Sequence, residues 1–445
     1  MWRSAVLAGV LWAVMTSAAH AEQRTFVYRS APLTMGQFNV EFPREWVKAP
    51  PRDGYIVGMS ARLVDTRGRA VTINDVMLHH VVFFRRRPDP AASACSGKHQ
   101  EAFYGTGEEN QTLQLPPGYG YRLRRGDRWR MNAMLMSHGA RSVRVRVEYR
   151  VTVVTRRRLQ GVVPFWVRAN GCGSSTSYPV WGDGGSGSTD TRTFAWKVPF
   201  DARIVAVGGH LHGGSKDMWL SQPACAGRRL LDTAPRYGMP DHPYYTTRPL
   251  LHEPGPIDTR YFVSKTGIQV RRDEVLSLTG AYDDAIPHPR VMAIMHIYVV
   301  PHAAGKDPCP ALPADARALV KPVPTRTEPP VVRVPLNMLD TNGVPQPVLD
   351  PPWPAVALGE GAIVSLRNSA FIPERVVLRA GGSLTWRFDD KVPHNVTFAN
   401  GPRLTGSPTL SAGRSFTFRF AVPGRYELFC YLHPMTMHHV IDVES

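Results

Sequence analysis

The chain has 445 residues, with 53 Lys and Arg against 36 Asp and Glu, a formal charge of +17. Hydrophobic residues make up 43% and charged residues 20%, proportions that exclude wholesale disorder. Forty Pro and 38 Gly exclude long helices and coiled coils, and five Cys is an odd number, so one cysteine does something other than pair.

Residues 1–21 read as a cleavable export leader. Met1-Trp2-Arg3 is a short basic start, Ser4 to Thr16 is an apolar run, and Ala19-His20-Ala21 is a small-x-small cleavage site. No later stretch approaches the roughly 18 apolar residues of a span, so a periplasmic or extracellular protein without a membrane span is expected. Residues 22–165 form a first β block, with its clearest strands at 55–64, 76–84, 129–136 and 143–154. In the last of these, Arg144, Arg146 and Arg150 alternate with Val143, Val145, Val147 and Val151, a half-buried strand with one basic face. A second block, 166–302, has strands expected at 194–198, 203–212, 275–281 and 291–300. Prolines dominate 303–358, which reads as an extended linker able to span on the order of 100 Å. Residues 359–445 return to β alternation. The expected fold is all-β: two jelly-roll-like β-sandwich blocks followed by a Greek-key β-sandwich.

The densest chemistry lies near the C-terminus. His394 precedes Cys430 by 36 residues, and His433 and Met437 follow in Cys430-Tyr431-Leu432-His433-Pro434-Met435-Thr436-Met437. One thiolate, two imidazoles and a thioether are the ligand set of a blue, type 1 copper centre. A Cys-x2-His loop after a strand, with a distant His, brings these donors to one apex. With Phe371-Ile372-Pro373 and Gly381-Gly382-Ser383-Leu384-Thr385-Trp386, the region resembles the cupredoxins, the plastocyanin and amicyanin group, over about 85 residues. The resemblance implies electron transfer with a redox partner protein. Its usual axial Met positions, three or five residues after the second His, hold Thr436 and His438 here; Met437 is the candidate axial ligand, with Met435 and His438 as alternatives. Phe429 and Tyr431, not histidines, flank the cysteine, so electrons are expected to pass by contact rather than through the cysteine into a cluster.

Histidines also mark the first two blocks. His210 and His212, two apart on a strand, point to one face and can share a metal. His79 and His80, adjacent, can do so only where the strand twists or ends. The order His79-His80, His138, His210-x-His212 and Met292, with Leu115-Pro116-Pro117-Gly118-Tyr119-Gly120-Tyr121-Arg122 between, resembles the ascorbate-dependent type II copper monooxygenases. These are the peptidylglycine α-hydroxylating and dopamine β-hydroxylating enzymes. The resemblance implies an electron-delivering copper on His79, His80 and His138. It implies a second, O2-binding copper on His210, His212 and Met292, where C–H hydroxylation takes place. His296 shares a strand face with Met292 and is a candidate substrate contact. The peptide-anchoring positions of the amidating enzyme are Gly208 and Ile294 here, so the substrate, a small molecule or a peptide, is not named.

The remaining Cys95, Cys172, Cys225 and Cys309 allow three pairings, of which Cys95–Cys172 and Cys225–Cys309 is the expected one; none has the Cys-x2-Cys spacing of a zinc site. Arg85 to Arg87, Arg122 to Arg130 and Arg156 to Arg158 concentrate charge in the first block, without a nucleic-acid-reading element. That surface is either merely solvated, or steers an anionic reductant, an acidic partner or membrane headgroups. The expected function is an exported monooxygenase with up to three coppers, using O2 and ascorbate or another reductant, with the C-terminal unit as tethered donor. The alternative is a copper-binding electron-transfer or copper-handling protein with a non-catalytic core.

Overall fold

The computed structural model describes residues 22–86, 94–95, 101–173, 175–348 and 352–445; the expected leader and Arg87 lie outside them. The fold is nearly all β. Strands form where the alternation placed them: Gly54–Asp65, Val76–Arg85, Trp129–Ser137, Val143–Thr155, Ala202–Leu211, Val275–Asp283 and Ala293–Pro301. In Val143–Thr155 the valines at 145, 147, 151 and 153 are buried, and Arg144 and Arg150 face solvent.

The first two blocks share one eleven-stranded sheet. Gln160–Arg168 joins them, pairing in parallel with Tyr119–Leu123 of the first block and antiparallel with Ala293–Pro301 of the second. The boundary expected at 165/166 therefore falls inside a strand, and the halves are held by a continuous hydrogen-bond ladder. A five-stranded sheet carrying Glu101–Gly107, Val76–Arg85 and Trp129–Ser137 covers the first half, and a four-stranded sheet carrying Thr189–Lys197 and Val275–Asp283 covers the second. Each sandwich encloses its own apolar core. Disulfides Cys95–Cys172 and Cys225–Cys309 are formed, and Cys430 is free and buried.

The C-terminal unit packs a five-stranded sheet on a four-stranded one. It is not held only by its linker. Phe429, Tyr431, Met435 and Val440 bury themselves against Met77, Met134, Met136 and Leu251 of the first two blocks, with linker residue Leu336 among them. Linker residues Arg317–Leu319 extend the large sheet as its edge strand beside Tyr261–Val270. The expected free tether is thus laid on the protein, because its apolar residues bury surface that an extended solvated chain would expose.

Candidate metal centres

At the C-terminus, Gly424–Phe429 ends at Cys430, and the turn after it returns the chain to His438–Glu444. The Cys430 Sγ lies 3.9 Å from His394 Nδ1 and 3.8 Å from His433 Nδ1. These three donors are close enough to surround one ion. Asp390 Oδ2 is 3.0 Å from His394 Nε2, which fixes that ring with Nδ1 toward the sulfur. A hydrogen bond from the Ser369 N–H and the His394 contact hold the Asp390 carboxyl down to about 2. Asn395 N–H donates to Sγ at 3.4 Å, while burial pushes the thiol pKa up. Met437 is fully buried in the same apolar cluster as Cys430. Met435 instead joins the interface cluster with Tyr431, and His438 Nε2 meets the Pro434 carbonyl at 2.9 Å.

In the core, the awkward adjacency of His79 and His80 is resolved by a β-bulge. Register runs His80 opposite Met134 and Leu78 opposite Leu135, so His79 is the extra residue. The bulge lets both rings meet, Nδ1 to Nδ1 at 3.1 Å. His210 and His212 come to the same place from the neighbouring block. Ring centroids lie 5.3 Å apart for His79 and His212, 6.4 Å for His80 and His210, and 5.1 Å for His210 and His212. The His79-His80 and His210-x-His212 motifs are therefore contiguous. Ladder pairing of His210 with Ile294 and Leu211 with Ala293 runs the end of the His-x-His strand beside Met292. The Tyr282 hydroxyl ties the two, accepting from His212 N–H at 3.1 Å and donating to the Met292 carbonyl.

His138 stands apart from this group. Its Nδ1 is 2.9 Å from the Pro249 carbonyl, and among the described residues no ring contact joins it to His79 or His80. The residue beside His79 is instead His252, with ring centroids 4.9 Å apart. His252 and two carboxylates were not expected. Glu108 Oε1 is 2.7 Å from His252 Nε2 and 3.4 Å from His79 Nε2. Glu109 Oε2 is 3.1 Å from His210 Nδ1, and its other oxygen accepts from Gly107 N–H at 2.7 Å. The signal for them was adjacent acids in an otherwise apolar, glycine-punctuated stretch, Gly105-Thr106-Gly107-Glu108-Glu109.

The donor atoms suit a metal. Nε2 of His138, His210, His212 and His296 is buried with no hydrogen-bond partner. Burial pushes His80 and His296 down to about 3 and His138 to about 4, so these imidazoles are neutral at neutral pH, as ligation requires. For His210 burial acts in the same direction, but the Glu109 carboxylate outweighs it and raises the pKa. Gly105 and Gly107 keep the approach open: a Cβ on either would lie 2.7 Å from His296 or 2.6 Å from His210. A cleft of about 870 Å³ between the blocks is lined by His80, His210, Met292 and His296, with Arg44, Arg130 and Arg168 in its walls.

No known family profile matches the chain. Over 74 residues it is 31% identical to amicyanin-alpha of Methylorubrum extorquens, a match covering 16% of this chain and 62% of that protein. The chain thus spans less than two thirds of that relative's length. Among solved structures, a reduced amicyanin mutant is 23% identical, covering 19% of this chain and 82% of its own, with a TM-score of 0.18. A purple cupredoxin from Nitrosopumilus maritimus is 26% identical, covering 19% and 99%, again with a TM-score of 0.18. The chain is similar to amicyanin over a small part of its length. That similarity says nothing of the remaining four fifths.

Proposed function

We propose that this protein is an exported copper oxidoreductase in which a type 1 copper unit, docked on a two-block core, serves a monooxygenase site in the cleft between the blocks. The observation that carries the reading is the convergence of His79-His80 and His210-x-His212, two distant motifs, on one buried cluster beside the cleft. His394, Cys430 and His433, with Met437, would hold the blue copper. His210, His212 and Met292 would hold an ion at the cleft, and His79, His80 and His138 are the resemblance's candidates for another. Copper bound there would supply one-electron transfer and activation of O2.

The chain's own residues do the positioning. Glu109 fixes the His210 ring so that Nε2, not Nδ1, is the free donor. Tyr282 holds the ends of the two ligand-bearing strands together. His296, its ring 4.1 Å from that of Trp166, forms a wall of the cleft where a substrate would lie. Two disulfides and an apolar leader support export, and no described helix is long and apolar enough to cross a membrane.

Copper analysis of the purified chain tests the reading, with about three ions per chain expected. Oxygen uptake with ascorbate and candidate substrates should be lost in Met292→Ala while the blue colour stays. The similarity to amicyanin bears on electron transfer alone, and a second reading is an electron carrier with a non-catalytic core. One copper per chain and no oxygen uptake would decide for it.

A further inference from the structure

The bulge at His79 gives the histidine cluster two sides. His80, His210 and Met292 line the cleft. His79 turns away from it, to a place where its Nε2, Glu108 and His252 lie close enough to share one ion. We propose that His79, Glu108 and His252 hold a metal ion, in place of the His79, His80 and His138 set, and that this ion receives the electron from the C-terminal unit.

All three side chains are buried. Glu108 is preset: its Oε2 accepts from Gly255 N–H at 2.7 Å, and its backbone carbonyl accepts from the Tyr244 hydroxyl at 2.8 Å. Among the described residues the only basic side chains within ion-pair distance of it are His79 and His252, with no Lys or Arg. A buried carboxylate facing two imidazoles lacks a permanent counter-charge, and a divalent cation between them supplies it. Two imidazoles and a carboxylate suit Cu(II), with Zn(II) as the competitor of the same charge.

The place of the site argues for its role. Tyr431, next in sequence to Cys430, is buried at the domain interface. With Phe429 it lines a second pocket, of about 500 Å³, whose opposite wall includes His252 and Glu253. Arg290 clamps this contact: its guanidinium donates to the Val396 and Ser407 carbonyls and lies 5.2 Å from the centre of the Tyr431 ring. Gly406 leaves room for this guanidinium, which a Cβ there, 2.4 Å from Arg290 Nε, would displace. With copper held at both places, one electron would move and no bond would break: the site at His394, Cys430 and His433 would give up the electron, the site at His79, Glu108 and His252 would accept it, and an external one-electron reductant such as ascorbate would restore the first.

The role, though not the donor set, rests on reading the C-terminal unit as a copper site. The test uses the full-length, copper-loaded protein, with copper per chain, blue absorption and Cu(II) electron paramagnetic resonance as readouts. Glu108→Gln and His252→Gln should each lose one equivalent of non-blue copper, with the blue band unchanged. Retention of the full non-blue complement with an unaltered resonance in both variants would overturn the site, as would a wild type holding blue copper alone. Should the variants fail to fold, the wild-type resonance decides: two nitrogens at every non-blue ion supports the site, and a non-blue ion coupled to three nitrogens refutes it. A wild type without a blue band sinks the C-terminal reading instead, while the non-blue count still judges the core site.

Discussion

The C-terminal and core clusters are assembled in opposite ways. Cys430 and His433 come from the turn after Gly424–Phe429 and His394 from the segment between Ser383–Phe388 and Thr397–Asn400, and Asp390, four residues from His394, orients it. Every part is within one small sandwich. The core cluster draws on Val76–Arg85, the turn after Glu101–Gly107, the end of Ala202–Leu211 and the loop at His252, and exists only when both halves of the large sheet are in register. A local site can be formed by a module alone. A shared site makes metal binding answer to the packing of two blocks, so it can be weakened from a distance.

The largest expected effect separates the two. Cys430→Ser should abolish the blue absorption entirely and leave the core copper count unchanged, as read by metal analysis; loss of core copper as well would show that the clusters are not independent. Glu109→Gln should act only on the core, lowering its copper affinity about 10- to 100-fold through a misoriented His210, while a titration followed at the blue band stays as in the wild type. Arg290→Met should loosen the joint between the regions. It removes two hydrogen bonds from a charged donor, each worth about 1.5–3 kcal/mol, so hydrogen exchange around Val396 and Ser407 should rise with the blue band retained.

The smallest effect is a pH dependence confined to the core. Burial opposes charge on His288, but Glu253, 2.8 Å away, outweighs it, so the His288 pKa is raised above 6.5. A raised folded-state pKa gives stability that is fully present below the unfolded value and is lost as pH rises through the folded one. The contribution of the His288–Glu253 pair to the Tm of the metal-free protein should therefore fall by about a few degrees as pH climbs above 6.5, read as the difference between the wild type and Glu253→Gln. Glu253→Gln should flatten the slope, and an unchanged slope in that variant would remove the pair from the account.

How much of this was legible in the chain depends on the span of the interaction. The Cys-x2-His loop and the His-x-His strand could be read because their geometry follows from strand period and loop length. His79-His80 was only half legible, since a bulge depends on the partner strand and not on the histidines. Glu108, Glu109 and His252 carried almost no signal: a buried carboxylate looks like any surface acid until the fold closes over it. The prolines of 303–358 suggested reach, yet Leu336 and Arg317–Leu319 lie down on the core.

By itself the sequence determined the β class, the strands, the spare cysteine and the histidine motifs around which candidate sites could be read, all of which follow from alternation, composition and spacing. Only the tertiary structure decided that the two halves share one sheet, that the histidines of both meet, and that Tyr431 and Arg290 press the C-terminal unit against them. Those are long-range contacts between residues far apart in the chain, selected by burial and complementary packing, and no local pattern records them.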